Sequence, residues 1–193
     1  FRATMINLAA GRDAITYALD HCEARIALVH DSVSSVFESS RPEKMMRLSS
    51  FAENAVELHT VSSSDHALLM YTSGTTGRPK GVVHTQSSLL AGGWTPTVAH
   101  RLTDEDRALC VLPICHINGL CVTVMAALVS GGSVAMVEKF SASRFWDQIK
   151  THEVTWFSVV PTIISHLLHS DTNPDKQSKS RLRFGRSASS ALA

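Results

Sequence analysis

No apolar run in the sequence is long enough to cross a bilayer as a helix: the longest, Leu120 to Val129, is about half of the ~20 residues that requires. Nor does a basic, apolar and small-residue series open the chain as a secretory signal would. Charge is scarce and balanced, with charged residues at 18% and a net charge of +1, which excludes a nucleic-acid surface built on bulk basicity. Four cysteines in 193 residues are too few for a disulfide framework. Cys110, Cys115 and Cys121 stand in apolar stretches, where a reduced thiol packs as a small hydrophobe. There is no internal repeat and no long low-complexity tract. What the chain does have is 44% hydrophobic residues, enough for a core of its own, so one globular domain or part of a larger one is expected, in the cytoplasm. It opens on Phe1 and stops at Ala193 inside a small-residue stretch, which reads as a piece of a longer chain.

Short apolar runs alternate with helix-like segments. Helices are expected at Ala14 to Cys22, from near Thr85, at Asn118 to Val129, Ala142 to His152 and Thr162 to His169. Strands are expected at Ile26 to His30, Ala67 to Tyr71, Ala108 to Leu112, Ser133 to Val137, Thr155 to Val160 and Leu182 to Phe184. Asp31 to Ser64 is polar and serine-rich, with room for a short helix near Glu43. Thr103 and Asp104 read as turn or cap residues, and Gly131 with Gly132 as a helix stop. Strands that are apolar throughout need cover on both faces, so the fold class is α/β: a mostly parallel sheet with helices on both faces. The four basic residues of Lys176 to Arg183 read as a solvated loop.

The stretch Tyr71 to Gly81, Tyr-Thr-Ser-Gly-Thr-Thr-Gly-Arg-Pro-Lys-Gly, leaves an apolar strand and precedes the next helix. Gly74, Gly77 and Gly81 let backbone approach an anion, Thr72, Ser73, Thr75 and Thr76 supply hydroxyl donors, and Lys80 supplies a compact charge. Together these suit a phosphate. The spacing is not that of a Walker A loop, because only two residues separate Gly74 from Gly77 and the lysine follows a proline.

On this loop the sequence resembles the adenylate-forming acyl-CoA synthetases. Leu112-Pro113-Ile114-Cys115-His116-Ile117-Asn118-Gly119, Val159-Val160-Pro161-Thr162 and Leu182 to Leu192 follow in the family's order, and Met5-Ile6-Asn7 resembles its opening segment. Val137 to Ser141 with Phe145-Trp146 looks most like the carnitine and crotonobetaine CoA ligase branch, with small-acid, oxalate-type ligases close behind. Cys115 stands where an aromatic often precedes the histidine, and Thr162 where a second proline is common.

The resemblance implies a partial AMP-binding (adenylation) domain over residues 1–193, with the family's C-terminal catalytic subdomain outside it and the fragment alone inactive. It implies activation of a small carboxylic acid by ATP and Mg²⁺, then transfer to coenzyme A. Thr72, Ser73, Gly74, Thr75, Thr76, Gly77 and Lys80 would bind the phosphates, with Thr72 near the metal. His116 would lie beside the acid's carboxylate. Ser187 to Leu192 aligns with the family's Ser-Gly-Gly-Ala-Pro-Leu, which places Ser189, Ser190 and Ala191 against adenine although two glycines are replaced by Ala188 and Ser189. No acidic residue stands between Cys115 and Val122 to pair with a substrate ammonium, so the acid is expected not to be an α-amino acid.

Other constellations carry blander expectations. Cys110, Cys115, His116 and Cys121 lack zinc-ligand spacing, and His166 with His169 read as exposed polar residues. Gly92, Gly93 and Trp94 suit an acyl pocket or helix packing equally. Two rival functions remain from sequence: a non-catalytic nucleotide-binding module, and an adenylation domain that loads a carrier protein. No nucleic-acid partner is expected.

Overall fold

The computed structural model describes residues 2–36, 44–47, 59–72, 79–172, 174 and 181–190. The chain forms two compact units, residues 1–86 and 87–193.

The first unit is built around β4 (His66–Thr72), whose Leu68, Leu69 and Met70 are buried in succession, so that side chains on both faces are covered. β1 (Ala3–Thr4) pairs with it in parallel on one side, and β5 (Lys80–Thr85) antiparallel on the other. α1 (Arg12–His21) follows Gly11, whose φ of +86° only glycine adopts freely, and buries Ile15 and Ala18. Tyr71 joins β4 to this helix: its hydroxyl donates to Ala18 O at 3.3 Å and lies 2.8 Å from His21 Nδ1. Burial, then the neighbouring Cys22 and Tyr17, pushes the phenol up to about 12, so it stays a donor at neutral pH.

Two sequence expectations change here. The segment near Glu43, read as a short helix, includes β3 (Lys44–Arg47), which pairs in parallel with β2 (Ile26–Val29) from Ile26↔Lys44 to Val29↔Arg47. Helix α2 (Gln86–His100) does begin beside Thr85, but Lys80 to Thr85 is strand. The glycine and hydroxyl loop therefore joins two antiparallel strands and does not lead from a strand into a helix. The run Val82-Val83-His84-Thr85 is rich in β-branched residues, and it covers the hydrogen-bonding edge of β4 that would otherwise stay open.

The second unit is the α/β body the sequence predicts. β6 (Arg107–Cys110), β7 (Ser133–Met136), β8 (Trp156–Val159) and β9 (Phe184–Ser187) form an all-parallel sheet in the order β7-β6-β8-β9. β8 is central and buried at every position. On one face Leu109, Phe157 and Val159 pack with Phe145 and Ile149 of α4 (Phe145–Thr151) and Ile163 of α5 (Pro161–Leu168). On the other, Ala108 and Trp156 pack with Leu102 and with Ala126 and Ala127 of α3 (Ala126–Val129). The alternation of strand side chains makes these opposite faces, and helices cover both.

Expected helix Asn118 to Val129 has two parts: Asn118–Met125 is π-helical and only the last turn, α3, is α-helical. Gly131, at φ +75°, ends it as expected. α2 lies close against the π-helical segment. A Cβ on Gly93 would stand 2.8 Å from the Met125 carbonyl group, and one on Gly92 3.3 Å from Cys121 Cβ. Helix packing thus accounts for both glycines, and Trp94 is exposed. β9 begins two residues later than expected, because Arg183 is used elsewhere. The strand continues through Gly185, where a side chain would strike the Phe157 ring at 2.3 Å.

One carboxylate ties the amino ends of all four strands. Asp106, Thr155 and Arg183 immediately precede β6, β8 and β9. Asp106 is 3% exposed; it accepts from Thr155 Oγ1 at 2.7 Å, from the Thr103 amide at 2.9 Å and from the Arg183 guanidinium. Its backbone carbonyl accepts from Ser133, the first residue of β7, at 2.9 Å. Burial alone would raise this carboxyl, but the hydrogen bonds from Arg183, Thr155 and Thr103 outweigh it and hold the group below its ordinary range.

Because the folded value lies below the unfolded one, Asp106 stabilises the fold above pH about 4 and the contribution is lost as pH falls through the folded pKa. Denaturant unfolding should therefore show a steeper loss of stability below pH about 4 in the parent than in Asp106→Asn. Asp106→Ala should cost about 2–3 kcal/mol at pH 7. In a second series, Gly93→Ala should destabilise by about 1–2 kcal/mol, since overpacking against fixed backbone exceeds the helix-propensity gain. Gly92→Ala, which meets only a side chain, should stay within about 0.5 kcal/mol of the parent.

Candidate active site

In the first unit, Thr72 and Lys80 are cross-strand partners at the loop end of the β4–β5 hairpin, and both side chains are exposed. The hairpin thus presents a hydroxyl and an ammonium at the two roots of the connecting loop. Ser73, Gly74, Thr75, Thr76 and Gly77 lie outside the described residues. Gly81 sits opposite Tyr71, and a Cβ there would stand 3.0 Å from Leu69 Cδ1, so this glycine serves the packing of the hairpin.

In the second unit, the chain leaves β6 through a turn that delivers His116 at the carboxyl end of the sheet. The His116 amide donates to Pro113 O at 3.1 Å, and its carbonyl accepts from the Leu120 amide at 3.0 Å, so its backbone opens the helical segment. The imidazole is exposed. Gly119 is required by this turn, because a Cβ there would lie 2.5 Å from Pro113 O. Burial pushes the thiols of Cys110, Cys115 and Cys121 up, and Cys110 Sγ donates to Leu112 O at 3.4 Å, as befits packed neutral thiols. Among the described residues no three His, Cys, Asp or Glu side chains gather as a metal site.

Sequence reasoning missed a polar chain two residues beyond His116. Arg186 Nη1 donates to Ser158 Oγ at 3.0 Å, and Ser158 Oγ donates to Asn118 Oδ1 at 2.8 Å. Arg186 Nη1 also lies 3.4 Å from Asn118 Oδ1. Asn118 and Ser158 are 7% and 1% exposed. Ser158 and Arg186 are register partners on β8 and β9, so their side chains share the sheet face that carries Trp156 and Phe184. Farther along that face His100 stacks on Phe184 at 4.8 Å. Burial, then the charges of Arg186 and Arg183, push the His100 imidazole below its ordinary value. Only the position of Asn118 beside the histidine motif could have hinted at this chain.

Beyond β9, the Ala188 amide donates to Val159 O at 3.0 Å, and Ser189 adopts a φ of +78°. The left-handed backbone that a glycine would adopt freely is therefore kept here by serine, at a cost of order 1 kcal/mol. Ser189 and Ser190 are both exposed, and Ala191 lies outside the described residues. His169 Nδ1 is 2.8 Å from Ser165 O and His166 lies against Phe140, so neither belongs to this site. Of the basic loop, Arg181 pairs with Glu153 at 3.1 Å and Arg183 with Asp106, while residues 175–180 lie outside the described residues.

Similarity to known proteins agrees with this geometry. A sulfoacetate–CoA ligase of Cupriavidus necator is 55% identical over 126 residues, 65% of this chain and 24% of the relative. An oxalate–CoA ligase of Arabidopsis thaliana is 36% identical over 146 residues, 75% of this chain and 28% of the relative. Crotonobetaine/carnitine–CoA ligases match as well, so both branches suggested by the sequence are represented among the relatives. The chain spans about a quarter of the length of these curated relatives. Among solved structures, an o-succinylbenzoate CoA synthetase of Bacillus subtilis in complex with its acyl-adenylate intermediate superposes with a TM-score of 0.82. It is 26% identical, over 98% of this chain and 50% of that one. The family model described as AMP-binding enzyme matches residues 1–193 without remainder, and the chain belongs to that family.

Proposed function

We propose that the full-length protein is an ATP-dependent acid–CoA ligase of the cytoplasm, to which this chain contributes part of the adenylation domain. A carboxylate oxygen of a small acid attacks the α-phosphorus of ATP and pyrophosphate leaves. The thiol of coenzyme A then attacks the acyl carbonyl and AMP leaves. The observation that carries this reading is the hairpin that sets Lys80 opposite Thr72 at the roots of a glycine and hydroxyl loop. Such a loop stabilises charge that builds on the β- and γ-phosphates as pyrophosphate departs.

Ser73, Gly74, Thr75, Thr76 and Gly77 supply the remaining donors to those phosphates in this reading. Among the described residues the hairpin offers a hydroxyl and an ammonium and no carboxylate cage, which fits a Mg²⁺ that would arrive with the nucleotide and that Thr72 would help to hold. Such an ion would neutralise phosphate charge. His116, exposed at the carboxyl end of the parallel sheet, holds the acid's oxygen for attack, and Ser189, Ser190 and Ala191 lie along the adenine. The similarity of the curated relatives favours coenzyme A over a carrier protein as acceptor.

Carboxylate-dependent exchange of labelled pyrophosphate into ATP tests the first half-reaction in the full-length protein. At least one small acid should drive exchange. Lys80→Ala should lower the exchange rate about 10²–10³-fold, the scale of losing one preorganised charge-stabilising donor. His116→Ala should act mainly through the KM for the acid. If no acid drives exchange while ATP still binds, the protein is a nucleotide-binding module and the ligase reading fails.

A further inference from the structure

The polar chain from Arg186 to Asn118 has donors left over and, among the described residues, no acceptor to receive them. A guanidinium carries five N–H groups, and among the described residues only Nη1 is engaged, by Ser158 and Asn118. Among the described residues the side-on edge formed by Nε and Nη2 has no hydrogen-bond partner and no carboxylate pairs with the guanidinium. Arg186 also fixes which way Asn118 faces, because a guanidinium cannot accept and must meet the amide oxygen. That leaves Asn118 Nδ2 buried with no hydrogen-bond partner. A buried donor without an acceptor costs about 1–3 kcal/mol, so its retention beside an unneutralised cation calls for a ligand that accepts hydrogen bonds.

Three features place that ligand. The chain lies at the carboxyl end of the parallel sheet, where open α/β sheets bind their ligands. Asn118 is two residues from His116 on the same short segment. Ser158, 1% exposed, holds the guanidinium in place from the central strand, so the free edge is oriented before anything binds.

We propose that Arg186 and Asn118 form a subsite for a second anionic group on the acid, a carboxylate or sulfonate accepting two hydrogen bonds from Arg186 Nε and Nη2 and one from Asn118 Nδ2. This rests on the acid-ligase reading and names its substrate class: short acids with two negative charges. Arg186 is a specificity residue here, remote from the reacting carboxylate. A cation at this position also opposes a substrate ammonium, in keeping with the absence of an acidic residue between Cys115 and Val122.

The test is pyrophosphate exchange by the full-length protein with sulfoacetate, oxalate and malonate against acetate, propionate and butyrate. The readout is the ratio of kcat/KM between the two groups. The parent should favour the two-anion acids, and Arg186→Gln should reduce that ratio about 30–100-fold, the loss expected for charge-assisted hydrogen bonds. Arg186→Lys, which keeps the charge without the fork, should fall between, and serves if the glutamine variant does not fold by its melting transition. Whether sulfoacetate or the dicarboxylates drive exchange better tells which anion the subsite prefers. A parent that prefers one-anion acids, or variants that slow every acid alike with the ratio unchanged, would overturn the subsite and leave Arg186 as a strap between β9 and β8. If no acid of either group drives exchange, it is the ligase reading itself that fails.

Discussion

The body of the second unit depends on the placement of one carboxylate. A parallel sheet has no hairpins to fix its register, and each strand arrives from a helix on one face or the other. Asp106 supplies the missing constraint, since its side chain receives the residues that open β8 and β9 and its carbonyl receives the first residue of β7. With the amino ends gathered at one point, the register partners Ser158 and Arg186 follow three residues along. The site is assembled at the far end of strands whose near end is tied. Arg183, just before β9, and Arg186, three residues on and within it, divide the labour: the first is spent on a buried acid, while the second faces no acid among the described residues.

Legibility in the sequence followed the kind of force at work. β6 and β8 were legible because a strand covered on both faces is apolar at most positions, β7 because its short apolar run follows the glycine pair that stops a helix, and helix α5 because proline opens it. β3 was not, since the pairing of Lys-Met-Met-Arg with β2 is a long-range event with no local signature. The strand at Lys80 was hidden by its loop: glycines and hydroxyls before a helix suggest a strand-to-helix turn, and only the partner edge of β4 decides otherwise. β9 was displaced because Gly185 weakens any strand pattern, though the Phe157 ring leaves room for nothing larger.

Of the site, the residue types that carry charge at phosphates and the histidine of its motif stood out because their chemistry is local. Asn118 and Ser158 did not, since a buried amide or hydroxyl acquires meaning only from what it meets across the fold. Ser189 is a different case. The departure from glycine was visible in the sequence, but that the backbone would keep a left-handed φ in spite of it was not.

An α-helix turns about 100° per residue, and the eight residues Asn118–Met125 turn less than that while the Thr123 hydroxyl donates to the Asn118 carbonyl five residues back. The wider turn sets the phase between α3, whose Ala126 and Ala127 are locked in the core, and the residues that precede it. Point substitutions can therefore retune the chemistry along this stretch without moving it. Removal of a single residue would instead restore an α-helical turn and swing Asn118 and His116 together around the helix axis, away from β8.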